Sequence, residues 1–184
     1  MALAEFIDID YLKKQTAITA NVDAITLEPF IYVAQQKYIK DLIGSALYNE
    51  LQTQIVSGTT TQANIDLLEQ IAPALAWYTY LAAYPYIGIK TKNKGNMISN
   101  DSYATSIDLE GTKFMMDNIE STARFLGERV VKFLVNYSKN YPSYTNQGEN
   151  PDIYPKSSAY RRGIYLPNSF NNSINNDLLR RWLK

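Results

Sequence analysis

The sequence predicts an all-α fold, a compact bundle of about five helices carrying a long, mostly irregular C-terminal arm. Three observations predict it. Apolar residues recur three and four positions apart over most of residues 1–139, the spacing of one helical face. The stretch Ile71–Ile89 runs nineteen residues without a formal charge and is apolar around the whole helical circumference, so it must be surrounded. After Tyr141 the composition changes: residues 140–184 hold four of the seven prolines, and only eight of these 45 positions are Leu, Ile, Val, Met or Phe, too few for a core of their own.

The elements follow in order. Residues 8–18 read as a short helix capped by Asp8 or Asp10, broken at Asn21-Val22-Asp23. Thr26 is the expected N-cap of a second helix, with Pro29 in its first turn and Leu27, Ile31, Ala34, Tyr38 and Leu42 on its apolar face. Gly44 closes that helix and Ser45 opens a third, about 46–56, with Leu47, Leu51 and Ile55 four apart.

A polar loop, Ser57 to Thr61, leads to a long fourth helix with Asn64 as its expected cap. This central helix is long enough for a membrane span. Pro73, Pro85, Thr79 and the hydroxyls of Tyr78, Tyr80, Tyr84 and Tyr86 favour a protein interior instead, with a bend after Ala83 where Pro85 removes a backbone bond. Residues 95–106 are polar, with a short strand pair expected around Met97-Ile98-Ser99 and Ser102-Tyr103-Ala104. A fifth helix begins at Ser106 or Asp108 and runs to about Lys139, its seam Ile119, Ala123, Leu126, Val130, Phe133 and Tyr137 close to a 3.5-residue repeat. The domain reading is therefore a helical body, 1–139, and an extended docking arm, 140–184, ending in a short amphipathic helix around Ile174, Leu178, Leu179, Trp182 and Leu183.

The chain has 184 residues, no cysteine, no histidine, and a net charge of zero. Without His or Cys, most zinc, nucleophilic and general-base chemistry is excluded, and no catalytic residue, metal ligand or cofactor is expected. The N-terminus has no basic region followed by an apolar run, so no secretion signal is read and an intracellular setting is the default. Zero net charge hides a split: residues 1–139 hold 12 Lys+Arg against 15 Asp+Glu, and residues 140–184 hold 6 against 3. A basic arm on an acidic body points to docking on a carboxylate-bearing surface.

Asp108, Glu110, Asp117, Glu120 and Glu128 lie near one another in sequence, but without a histidine they read as a solvated helix face. Lys90, Lys92 and Lys94 before Gly95 could meet phosphate, though no Walker loop is present and a helix C-terminus explains them more simply. In the arm, basic and aromatic residues interleave. Tyr154, Tyr160, Arg161, Arg162, Tyr165, Leu166, Phe170, Leu178, Leu179, Arg180, Arg181 and Trp182 are the candidate protein-interface residues, being of the types enriched at interfaces. The same interleaving suits single-stranded nucleic acid, so a small helical nucleic-acid-binding or regulatory protein is the alternative.

The run Ala34-Gln35-Gln36-Lys37-Tyr38-Ile39-Lys40-Asp41-Leu42-Ile43-Gly44-Ser45-Ala46-Leu47-Tyr48-Asn49-Glu50-Leu51, followed by a polar loop, a tyrosine-rich helix and Lys94-Gly95, resembles the head–tail connector (adaptor or head-completion) proteins of tailed bacteriophages. The resemblance covers about residues 5–139 and is closest to phages of Bacteroidales, including the crAss-like group. It implies a structural, non-enzymatic virion protein made in the host cytoplasm. Such proteins form homo-oligomeric rings, commonly of twelve subunits, beneath the portal at the capsid–tail junction. The ring's implied partners are its own copies, the portal, the next tail or neck protein, and packaged DNA passing through without sequence-specific binding. No membrane partner is implied.

Overall fold

A computed structural model describes residues 4–87, 89–92, 95–98, 109–149 and 151–156, with backbone alone for the two short strands and for Leu109. The fold is all-α. Its helices are α1 (Ile9–Gln15), α2 (Ala24–Ala34), α3 (Lys40–Ile43), α4 (Ser45–Ser57), α5 (Gln62–Ile87), α6 (Leu109–Asn136) and α7 (Pro142–Thr145). A β-hairpin follows α5, with β1 (Ile89–Lys92) antiparallel to β2 (Gly95–Ile98) in the register Ile89 to Ile98 and Lys92 to Gly95. The strand pair thus lies earlier than the sequence suggested, and Lys90 and Lys92 stand in β1 rather than on a helix end. Residues 102–104 lie outside the described residues.

Helix α5 is the centre, as its all-round apolar character requires. It packs against α1, α2 and α6. Leu67, Ile71, Ala74 and Leu75 are fully buried, and Trp77 and Leu81 are half-buried against the same core. Each large aliphatic side chain so enclosed contributes about 1.5–3 kcal/mol relative to exposure. The helix runs through Pro73 and Pro85 to Ile87. Among the described residues no helix is long and apolar enough to cross a membrane.

Local chemistry explains the element ends, with some shifts from expectation. Asp8 caps α1, its Oδ1 accepting from the Tyr11 amide at 2.6 Å. Helix α2 starts at Ala24, so Pro29 lies inside the helix and Thr26 is not its cap. Thr61, not Asn64, precedes α5, its Oγ1 accepting from the Asn64 amide at 3.3 Å. Asn64 is 2% exposed and spans to α4 instead, donating to Glu50 Oε1 (2.9 Å) and Gln54 Oε1 (2.8 Å).

Between α2 and α3 the helix widens into a π turn, Gln35–Ile39. Such a turn absorbs one extra residue and so rotates everything after it. The core positions consequently step from Ala34 to Ile39, both fully buried, and not to Tyr38. Tyr38 stacks on Tyr78 instead, centroids 4.3 Å apart and planes 11° from parallel. The same turn directs Gln35 inward, 0% exposed, where it fastens the N-terminal segment. The Phe6 amide donates to Gln35 Oε1 (2.8 Å), and Gln35 Nε2 donates to the Ala4 carbonyl (3.1 Å). Gln52 grips the same residue from α4, accepting from the Ala4 amide (2.7 Å) and donating to its carbonyl (2.8 Å).

The buried face of α6 is Ile119, Ala123, Val130, Val131 and Leu134, with Leu126 and Phe133 half-buried. Tyr137, placed on the seam by a 3.5-residue repeat, is 53% exposed and beyond the helix end. A straight helix at 3.6 residues per turn drifts about 20° per heptad from that repeat, so the last turn's contact passes to Leu134.

Candidate protein interface

Composition alone places the start of an extended arm at residue 140. Its first part instead turns back onto the bundle. A 3₁₀ turn, Ser138–Asn140, reverses the chain after α6, and Tyr141 and Tyr144 then enter the core at 2% and 6% exposure. Each hydroxyl finds a carbonyl: Tyr141 donates to Ala63 (2.6 Å) and Tyr144 to Lys156 (2.8 Å). Burial pushes both phenols above their ordinary value, with the Asp66 charge adding to the effect at Tyr141.

Ser143 Oγ donates to Glu50 Oε2 (2.5 Å), adding α7 to the polar cluster that joins α4 to α5. Residues 147–156 then lie across the α3–α4 corner. The Ala46 amide donates to Gln147 Oε1 (3.0 Å), the Ser45 amide to the Ile153 carbonyl (3.0 Å), and the Ile153 amide to Ser45 Oγ (2.8 Å). These bonds satisfy amides of the first turn of α4, which have no partner within the helix. Two ion pairs flank them, Lys40 with Asp152 (2.6 Å) and Lys156 with Asp41 (2.5 Å); the Lys40 side chain is largely covered, but its partner and the second pair reach solvent, so the pairs add little. Gly44, at φ 82°, makes the corner possible, since a Cβ there would stand 2.6 Å from Gln147 Oε1 and 2.8 Å from Pro155 Cδ. The body therefore extends at least to Lys156, and the boundary at 139/140 falls inside it.

Of the candidate interface residues, Tyr154 is described, and it is 69% exposed within this docked segment. Tyr160, Arg161, Arg162, Tyr165, Leu166, Phe170, Leu178, Leu179, Arg180, Arg181 and Trp182 lie outside the described residues.

Sequence reasoning missed two outward apolar faces on the body itself. On α2, Ile25 is 84% exposed, with Tyr32 at 40%, Val33 at 44%, and Pro29 exposed between them. On α6, Phe114 and Phe125 are 66% and 61% exposed, eleven residues and three turns apart on one line of the helix. The signal was present: both phenylalanines fall away from the α6 seam when the residues are placed at 100° intervals.

Charged residues border both faces, acidic on α2 and of both signs on α6. Glu28 is exposed on α2, and Glu5 lies near enough that burial, followed by the Glu28 charge, raises its carboxyl above the ordinary value. On α6 the line through Phe114 and Phe125 passes Asn118 and Ser121, is flanked by exposed Glu110 and Asp117 at its Phe114 end, and continues past Phe125 to exposed Arg129 and Lys132, the latter 4.0 Å from Glu128. No group of three or more Asp, Glu, His or Cys residues able to hold a metal ion occurs among the described residues.

A family model described as a family of unknown function (DUF6712) matches residues 39–153, more than half of the chain. The match ends past the expected body boundary and takes in most of the docked segment 140–156. Neither a curated protein nor a solved structure matches the chain.

Proposed function

We propose that this chain, which belongs to the family of unknown function DUF6712, is a structural virion protein of a tailed phage. In this reading it forms a homo-oligomeric ring below the portal, joins capsid to tail, and extends the channel through which DNA passes. The observation that carries the reading is the pair of separate outward apolar faces on α2 and α6. A protein that self-pairs through one patch needs one such face. A head-to-tail ring needs two different ones. The run Ala34–Leu51, with its likeness to connector proteins, gives the ring its place, and the absence of His and Cys agrees with a scaffold role.

The ring's neighbours are the portal on one side and the next neck or tail component on the other. A net charge of zero suits a channel wall that lets DNA slide, because it releases few counterions and so binds weakly. Purified full-length protein imaged by negative-stain electron microscopy, alone and with its cognate portal, tests the reading. Closed rings, or rings formed on the portal, support it. A species that remains monomeric under both conditions and binds single-stranded nucleic acid would replace it with a small regulatory protein.

A further inference from the structure

We propose that the α6 face of one copy docks on the α2 face of the next, setting Phe114 and Phe125 against Ile25 and Tyr32. This deepens the ring reading and rests on it. Four observations converge on a second copy as the occupant.

The first is exposure. Ile25 at 84%, Phe114 at 66% and Phe125 at 61% are large apolar side chains held on rigid helices, not on loops. Phenylalanine and isoleucine so placed lose solvent-exposed apolar area on docking with little ordering entropy, as their backbone is already fixed.

The second is charge. The Phe125 end of the α6 line continues into exposed Arg129 and into Lys132, which it shares with Glu128, while Glu28 and Glu5 border the α2 face. Glu5 already sits in a partly desolvated position beside a like charge, an arrangement that a cation from another chain would relieve. Two copies therefore bring the Arg129 end of α6 to the Glu28 and Glu5 edge of α2 when unlike faces meet. When α2 faces meet each other, carboxylates are opposed.

The third is arithmetic of faces. A two-fold pairing of α6 with α6 would cover Phe114 and Phe125 but leave Ile25, Pro29 and Tyr32 in water. Pairing unlike faces covers both on every subunit and continues around a ring until it closes.

The fourth is dimension. At 1.5 Å per residue, Phe114 and Phe125 stand about 16 Å apart, and Ile25 and Tyr32 about 10 Å. Both spans fit within one standard interface of about 800 Å² per partner.

The chain lacks cysteine, so introduced cysteines report without background. Tyr32→Cys and Phe125→Cys are made singly and together in the full chain, and treated with a short bis-maleimide, which tolerates more separation than a disulfide. The expected result is a cross-linked dimer when the two single variants are mixed, little product from either alone, and a ladder of oligomers from the double variant. A companion variant, Phe125→Arg, should shift the oligomer toward monomer by at least tenfold in midpoint concentration. It should melt at the temperature of the parent diluted below its own assembly midpoint, since residue 125 is exposed on the single chain. Dimers from Phe125→Cys alone would overturn the proposal in favour of α6 self-pairing. Rings visible by microscopy in which the double variant forms no ladder would overturn this docking and leave the ring intact. A chain that is monomeric at every concentration, with no cross-link, would remove both.

Discussion

Gly127 on α6 lies directly over the Tyr78 hydroxyl on α5: a β-carbon at position 127 would stand 2.8 Å from that oxygen and 3.2 Å from Leu42 Cδ1. The two longest helices meet at this point with the Tyr78 side chain of one set against the bare backbone of the other. Tyr78 has little freedom to retreat, because its ring is stacked on Tyr38 at 4.3 Å.

Gly127→Ala therefore sets two effects against each other. Alanine in a helix interior gains about 1 kcal/mol over glycine. Forcing a methyl into an occupied contact costs about 1–3 kcal/mol, and the stacked tyrosine places this site toward the upper part of that range. The expected outcome is a net loss of about 1–2 kcal/mol in chemical denaturation. The same substitution in a Tyr78→Phe background should cost much less, because the nearest clashing atom is then gone. Equal losses in both backgrounds would show that the hydroxyl is not the obstacle.

Tyr78 also predicts alkaline behaviour. Burial, the largest influence, pushes its phenol up to about 12 from 10.0; Arg124 opposes the rise, while Tyr38, Asp41 and Glu120 add to it. Because the folded value lies above the unfolded one, the native state holds the proton more tightly. The stabilising contribution is therefore complete below pH 10 and is lost as pH climbs toward 12. Tyr48, Tyr80, Tyr141 and Tyr144 are raised in the same direction, chiefly by burial. Stability should fall across that window, with tyrosinate absorbance rising together with unfolding. Tyr78→Phe should make the fall shallower. An unchanged slope would mean that Tyr78 ionises as easily folded as unfolded.

Thr79 offers a stabilising change. Its side chain is 0% exposed, and its hydroxyl finds no hydrogen-bond partner among the described residues. A buried hydroxyl left unpaired costs about 1–3 kcal/mol. Valine has the same shape without the hydroxyl and a similar helix propensity. Thr79→Val should raise stability by about 1 kcal/mol, visible as a higher denaturant midpoint at constant slope. A loss instead would reveal that the hydroxyl is bonded in solution.

What the sequence made legible was whatever repeats at helical spacing. The central position of α5 followed from the uncharged run Ile71–Ile89, and the α3–α4 corner from Gly44-Ser45. Features that depend on a single residue out of step were not legible. The π turn at Gln35–Ile39 exchanges Tyr38 for Ile39 in the core, and no composition rule marks such a turn. Contacts distant in sequence were hidden too. Gly44 reads as a helix terminator, yet its lack of a side chain also admits Gln147 and Pro155, more than a hundred positions away. Composition misled about residues 140–156 for a specific reason: a segment poor in aliphatic residues cannot build a core, but Tyr141 and Tyr144 allow it to join one. The outward faces on α2 and α6 were readable from a helical wheel, and the expected interface residues from Tyr160 to Trp182 fall outside the described residues.

Truncation distinguishes a free arm from an integral one. A chain ending at Tyr141 loses Tyr144 from the core, the Ser143 bond to Glu50, and the partners that Gln147 and Ile153 give to the first turn of α4. Removing one large buried aromatic alone costs about 3–5 kcal/mol. The amides of Ser45 and Ala46, uncovered by the truncation, can then turn to water, so their loss adds less. A chain ending at Lys156 keeps every one of these contacts, including the carbonyl that accepts from the Tyr144 hydroxyl and both flanking ion pairs. The expected order of thermal stability is therefore clear: the 156-residue chain melts well above the 141-residue chain, which loses at least about 3 kcal/mol. Tyr144→Ala in the full chain should reproduce most of that loss, while Tyr154→Ala, at an exposed position of the same segment, should change stability by less than about 0.5 kcal/mol. If both truncated chains melt together, residues 142–156 rest on the bundle without supporting it, and a freely detachable arm beginning at residue 140 becomes the better description.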